Sequence, residues 1–287
     1  MRSIIRAKSL GIVLSIRPGG WSLLLLVGAA MGLGGCAGIK WNKDFTPKNK
    51  YYIGRSVSAQ VLNQYKVYED PQATRYVNLL GQTLAKFSDV PEPYKGYHFI
   101  ILDSPEVNAF AAPGSFIFVS RGMLRICATE DELAAVLAHE IGHIQHEHGV
   151  KVIRKSRNWA GLVKIGKFIA QATTDSEIAE LADKFGDDIG NAVGTMLRKG
   201  YGRSAEKEAD SAGIEIMHRT GYDTNAVITM LKKMEKRVKP GSTGFGSTHP
   251  SPSVRIDAIK SLIKSPPAKA NAARQARFDK ALMAARQ

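Results

Sequence analysis

Apolar side chains recur at helical spacing at Tyr76, Leu80, Leu84 and Phe87, just after Asp70-Pro71. Asp70 suits an N-cap and Pro71 the first helical position, so a helix is expected to run from there to the break at Pro91-Glu92-Pro93. Two short β-type runs follow, Tyr97–Leu102 and Phe116–Val119, with the turn-forming Ala112-Pro113-Gly114 before the second. Thr129 and Glu132 have capping-box spacing ahead of Leu133, Val136, Leu137, Ile141 and Ile144, which predicts a second helix beginning near Thr129. From there to residue 263 the pattern is mostly helical, with breaks at Gly200–Gly202, Gly221–Asp223 and Pro240–Pro252. Between 151 and 202, Val163, Ile165, Ile169, Ile178, Leu181, Ile189, Val193 and Leu197 suggest two apolar-faced helices. Core packing is their expected role, the alternative being a lid hinged near Gly194 or Gly200. Residues 37–50 lack apolar periodicity, and no solenoid-type repeat is present. The pattern therefore describes an α+β, mainly helical domain over residues 55–263, preceded by a tether at 36–54 and followed by a basic, Ala-rich tail at 264–287.

The 287 residues are 44% hydrophobic and 23% charged, which excludes wholesale disorder, collagen and coiled-coil rods. Two cysteines, Cys36 and Cys127, cannot build a disulfide scaffold or a multi-cysteine metal cluster. The net charge of +14 suggests nucleic acid until it is located. Arg2, Arg6, Lys8 and Arg17 precede the apolar run 21–34, which is short for a bilayer span and reads as an export signal. Six further cations, Lys264, Lys269, Arg274, Arg277, Lys280 and Arg286, lie in the tail against Asp279 alone. Solubility and attraction to anionic lipid account for such a tail, and no nucleic-acid motif accompanies the charge. Leu33-Gly34-Gly35-Cys36 resembles a bacterial lipobox, with residues 1–35 as signal peptide and Cys36 as the lipidated residue. Ala37 in place of Asp resembles the signal for sorting to the outer membrane.

Four of the seven histidines fall between positions 139 and 148. His139-Glu140-Ile141-Gly142-His143 places two imidazoles one helical turn apart on one face, within reach of one ion. Glu140 then lies beside the open coordination position as general base, and zinc suits two imidazoles plus a carboxylate. His146 and His148 do not complete that geometry and are expected at the surface or behind a ligand. A third ligand must come from elsewhere. Glu206 and Asp210 share a face at i,i+4, with Gly213 one turn on, an arrangement that supplies a carboxylate ligand and an acceptor for a ligand histidine's other N–H. Glu208 points away from that face.

Four ordered segments carry a family resemblance: Val107–Gly114, Glu132–His143, Arg203–Gly213 and Ser247–Ile256. Together they resemble the zinc metallopeptidase family that includes HtpX, the CAAX prenyl proteases and the BepA and LoiP branch, over roughly residues 55–263. The resemblance implies one zinc ion per chain on His139, His143 and Glu206, Glu140 as base, and Asp210 supporting a ligand. It also implies a gluzincin-like fold, in which a small sheet lies over the active-site helix. The edge strand of that sheet, Asn108, Ala109, Phe110 and Ala111, would bind substrate backbone. His249 and Arg255 are implied at the rim as oxyanion donors, and His249 could instead occupy the fourth zinc position in a resting state. With no multi-span membrane region, prenylated substrates are not expected, and no long helical-repeat extension follows residue 263.

The function expected on these grounds is a zinc endopeptidase of the bacterial envelope. It would be lipid-anchored on the periplasmic face of the outer membrane and would cut misfolded or misassembled envelope proteins. A zinc-holding chaperone or assembly factor with suppressed proteolysis is the competing class, against which an intact Glu140 argues.

Overall fold

The computed structural model describes residues 45–155, 194, 200–237, 249, 251–263 and 271–287. These belong to one compact unit spanning Asn42–Gln287. The signal segment, Cys36, the paired apolar helices expected between 156 and 199 (Gly194 apart) and the loop before His249 lie outside the described residues.

The first helix, α1 (Pro47–Gln64), starts at Thr46, whose side chain accepts from the Asn49 N–H. Helix α2 (Pro71–Ala85) is capped by Asp70, which accepts from the Gln72 and Ala73 amides ahead of the proline-led first turn. Strands β1 (His98–Leu102), β2 (Ala109–Ala112) and β3 (Phe116–Ser120) form a three-stranded sheet in the order β1-β3-β2. β1 runs parallel to β3, and β2 antiparallel, from Ala109 opposite Val119 to Ala112 opposite Phe116. A short helix α3 (Arg121–Ile126) leads into α4 (Glu130–Gln145), then α5 (His148–Lys155), α6 (Arg203–Thr220), α7 (Asn225–Arg237), α8 (Pro252–Ile259) and α9 (Ala272–Leu282).

Strand alternation sorts the sheet's side chains into two cores. Phe99, Ile101, Ala109, Ala111, Ile117 and Val119 join α2, α4, α6 and α7 on one face. Ile100, Leu102, Phe110, Ala112, Phe116 and Phe118 meet Phe45, Ile53, Val57 and Val61 on the other. With both faces covered, every residue of β3 is buried. At ~25 cal/mol per Å² of apolar area, each buried Phe or Ile of this strand stabilises the fold by about 2 kcal/mol over its exposed state.

Two expected boundaries move. The tether read over 36–54 ends sooner, because α1 begins at Pro47 and Phe45 and Ile53 are buried against the sheet. The expected basic tail is an ordered helix whose Phe278, Leu282 and Ala285 are buried in the main core. Two of its cations pair with acids of the main domain: Arg277 with the buried Glu130, and Arg274 with Asp131 at 3.0 Å. Solubility is therefore not the whole role of this segment. The capping box also differs, since Thr129 Oγ1 accepts from the Glu132 N–H as expected, but Glu132 reaches the Ala128 amide and Lys233 rather than the cap residue.

Candidate active site

The site forms where α4 crosses α6. Glycine occupies both sides of the crossing: a Cβ on Gly142 would lie 2.7 Å from the Ala209 carbonyl oxygen, and one on Gly213 would lie 3.1 Å from the His139 nitrogen. Only side-chain-free positions let two helices approach this closely, and the approach brings Glu206 up to the two imidazoles. His139 and His143 direct Nε2 atoms to within 3.0 Å of one another. Each Nε2 stands 3.5 Å from one Glu206 oxygen. His249 joins them through Nδ1, 2.7 Å from Glu206 Oε2. One ligand atom from each of these four buried residues lies within 4.8 Å of all the others. Ligands 2.0–2.1 Å from a tetrahedral ion are about 3.3 Å apart, close to the spacing seen here.

The protons support a cation at this point. His139 Nδ1 lies 2.9 Å from Asp210 Oδ1, so its Nδ1–H points to the carboxylate and Nε2 is the atom turned toward the cluster. His143 Nδ1 lies 2.8 Å from His148 Nδ1, and His148 Nε2 lies 3.1 Å from Glu208. If that chain of nitrogens is donated outward, His143 Nε2 turns a lone pair toward Glu206, and a bound cation would take the place of the second proton that the metal-free site holds on His139 Nε2. Glu206 Oε1 is buried without a hydrogen-bond partner among the described residues, as is Glu140 Oε2. A positive ion satisfies that Glu206 oxygen. Burial and Arg255 would depress the His139 pKa, yet Asp210 and Glu206 outweigh them and lift it to about 9. Burial would raise Glu206, but His249 and His139 hold it far below the usual carboxylate range. Burial pushes the Glu140 carboxyl above its ordinary value, the direction that suits a general base. Burial, with His139 next, keeps His143 well below the usual imidazole range and therefore neutral.

The structure brings His139, Glu140, His143, Glu206, Asp210, His249 and Arg255 into one buried cluster. Arg255 is not at an open rim. It is 5% exposed and forks onto Asp210, with Nη2 2.6 Å from Oδ1 and Nε 3.0 Å from Oδ2. Nη2 also lies 3.1 Å from His139 Nδ1 and 3.5 Å from His139 Nε2, and Nη1 lies 3.6 Å from Glu206 Oε2, so the guanidinium borders the four-residue cluster as well. A helix that starts at Pro252 immediately after the loop puts the guanidinium there. A small cavity of about 20 Å³ borders His139, Glu140, Asp210 and Arg255, room for one water. His146 is part-exposed and 3.9 Å from Glu208, as expected of a residue outside the cluster. His148 is 2% exposed and contacts a ligand histidine directly. Two residues went unnoticed in the sequence: Tyr201, whose ring lies on His143, and Gly142, where only the small residue inside the motif hinted at a close crossing.

Two imidazoles, a carboxylate and a buried glutamate beside them make up the kind of donor set with which metallopeptidases hold zinc. The chain belongs to the family described as Peptidase family M48, whose pattern matches residues 71–263. It is 30% identical over 216 residues to the Beta-barrel assembly-enhancing protease of Escherichia coli (strain K12), covering 72% of this chain and 41% of that protein. It is 34% identical over 166 residues to the Mitochondrial metalloendopeptidase OMA1 of Schizosaccharomyces pombe, covering 56% of this chain and 44% of that one. The chain thus spans about two fifths of the length of these curated relatives.

Proposed function

We propose that the protein hydrolyses peptide bonds within unfolded or misassembled proteins of the bacterial envelope, using His139, His143 and Glu206 to hold zinc and Glu140 to move the proton. The observation that carries this reading is the convergence of two Nε2 atoms and a Glu206 oxygen without a hydrogen-bond partner on one point beside the buried Glu140. A zinc ion bound there would polarise the scissile carbonyl and lower the pKa of water.

Glu140 would take the proton of the attacking water and return it to the departing amine. Asp210 would fix the tautomer of His139, and Arg255 would hold Asp210 ionised and in place. The edge of β2, Asn108–Ala111, would take substrate backbone as an added strand. His249 would act as a reversible fourth ligand, restraining turnover until substrate displaces it, which accords with its place on Glu206.

The test is cleavage of an unfolded protein such as casein by the purified zinc-loaded protein. Activity that survives complete zinc removal by a chelator sinks the metallopeptidase reading. The envelope assignment rests on the export signal, the lipobox-like Leu33–Cys36 and the likeness to the Beta-barrel assembly-enhancing protease of Escherichia coli. Among the described residues no helix is long and apolar enough to cross a membrane. A lipid on Cys36 would supply the anchor, on the periplasmic face of the outer membrane. Labelled palmitate should enter the wild type and not Cys36→Ser, and equal labelling of both rules the anchor out.

A further inference from the structure

The backbone parity of β2 fixes which of its groups are open to a new strand. The Ser120 N–H donates to the Asn108 carbonyl at 3.0 Å. In an antiparallel pair such bonds fall on alternate residues. Asn108, Phe110 and Ala112 therefore turn their backbone groups toward β3, and Ala109 and Ala111 turn theirs outward. The Ala111 carbonyl is already engaged there, accepting from the Tyr201 hydroxyl at 2.5 Å. The Tyr201 ring lies on His143, with centroids 4.4 Å apart at 35°. Tyr201 thus occupies the strip between the ligand cluster and the strand edge that substrate would use.

Beside it opens a cavity of about 220 Å³, lined by Tyr94, Ala111, Ala112, His143, Val150 and Tyr201. Lys50 and Glu147, paired with each other, and Glu92 contribute the charged part of its lining. A dry cavity of ~150 Å³ admits a benzene molecule, so this one has room for a phenylalanine or leucine side chain. A charged side chain would lose its hydration against mostly apolar walls.

We propose that this cavity is a pocket for one large apolar side chain of the peptide substrate, and that Tyr201 caps the Ala111 carbonyl until the peptide's own N–H replaces it. The proposal rests on the peptidase reading above and adds to it what the site selects. Exchange of one donor for another at Ala111 is nearly neutral in hydrogen bonding, so discrimination falls to the side chain that fills the pocket. Gly200 and Gly202, at φ of 60° and 85°, hold Tyr201 on a bend that other residues rarely build. This arrangement lets the ring turn away without dragging a side-chain-bearing neighbour through a forbidden region.

The test profiles cleavage sites of the zinc-loaded full chain on denatured casein, and measures binding of fluorescent peptides to its Glu140→Gln variant. One fixed position near the cut should be enriched in Phe, Leu, Met and Tyr. A Gly/Ser peptide bearing one Phe should bind at least ~10-fold more tightly than its Ala counterpart, as burial of one large apolar side chain predicts. Val90→Trp, at the exposed part of the lining, should abolish that difference while zinc content stays intact. Tyr201→Phe frees the Ala111 carbonyl and should lower KM by more than it changes kcat. The proposal is overturned if casein is cut without apolar enrichment, or if the Phe and Ala peptides bind alike. It is equally overturned if Tyr201→Phe lowers kcat at constant KM, which would make the hydroxyl a donor to the reacting group. A wild type that neither cuts nor binds any peptide removes the peptidase reading itself, a result distinct from each of these.

Discussion

Alanine at position 142 tests how the site is assembled, because two effects of opposite sign compete there. In an ordinary helix interior Gly→Ala stabilises by roughly 0.5–1 kcal/mol. Here the new Cβ would lie 2.7 Å from the Ala209 carbonyl oxygen and 3.0 Å from the Ala209 Cα, both backbone atoms that cannot rotate aside. Restoring ordinary contact requires α4 and α6 to part by about 0.7 Å, an overpacking that costs ~1–3 kcal/mol. Ala209 lies next to Asp210 and one turn from Glu206, and Gly142 precedes His143. The displacement therefore falls on the ligand set. Gly142→Ala is expected to lose about 1–2 kcal/mol net, a fall of roughly 2–8 °C in Tm for a domain of this size. Zinc affinity, measured by competition with a chromogenic chelator, should drop at least ~10-fold, since a 1 Å misplacement can cost 10²-fold in function. Gly213→Ala, with its nearest contact at 3.1 Å, should show the same losses in milder form. A Gly142→Ala protein that melts higher than wild type with unaltered zinc affinity would refute the reasoning.

Three further outcomes follow from other parts of the structure. His148→Ala removes the group facing His143 Nδ1 and should weaken zinc binding by ~10-fold, the lower end for groups that orient ligands, whereas His146→Ala should leave it unchanged; equal zinc titrations for both variants would contradict this. Burial would raise the Glu130 pKa, but Arg277, Tyr76 and Tyr222 hold it below the ordinary glutamate value. Its stabilisation is then complete above the unfolded-state pKa of about 4.3 and is lost as pH falls through the lower folded value; Glu130→Gln should flatten the acid limb of a Tm-against-pH curve, and an unchanged limb would refute the linkage. His249→Ala should raise basal cleavage of casein if its contact with Glu206 restrains the enzyme, and a loss of activity at full zinc content would assign it to oxyanion stabilisation instead.

Much of the site was legible because its parts are local. Asp70-Pro71 and Thr129 announce helix starts through side chains that reach only two or three residues. His139 and His143 share a face by helical geometry alone, as do Glu206 and Asp210. What the sequence hid depends on contacts between distant segments. Ile53, Val57 and Val61 do carry an i,i+4 stripe, but a mean polar composition around them disguises a helix that only the sheet's second face requires. Arg274 and Arg277 resemble a solvated run of charge until Asp131 and Glu130, more than a hundred residues away, are set against them. Arg255 was expected to face a reacting oxygen. The direction of its guanidinium is decided by Asp210 across the α6–α8 contact, which no spacing rule reports. Tyr201 gave no signal, since one tyrosine between glycines matches no pattern until the strand edge is built.

The central claim is that Glu140 moves the proton in a reaction on zinc held by its neighbours, and glutamine at that position isolates it. Glu140→Gln keeps nearly the same shape and leaves His139, His143 and Glu206 in place, but accepts no proton. Zinc content and casein cleavage should be measured side by side on the wild type and this variant. The account predicts one zinc per chain in both, and a ~10²–10⁴-fold loss of cleavage in the variant. Undiminished cleavage by a Glu140→Gln protein that retains its zinc would contradict it.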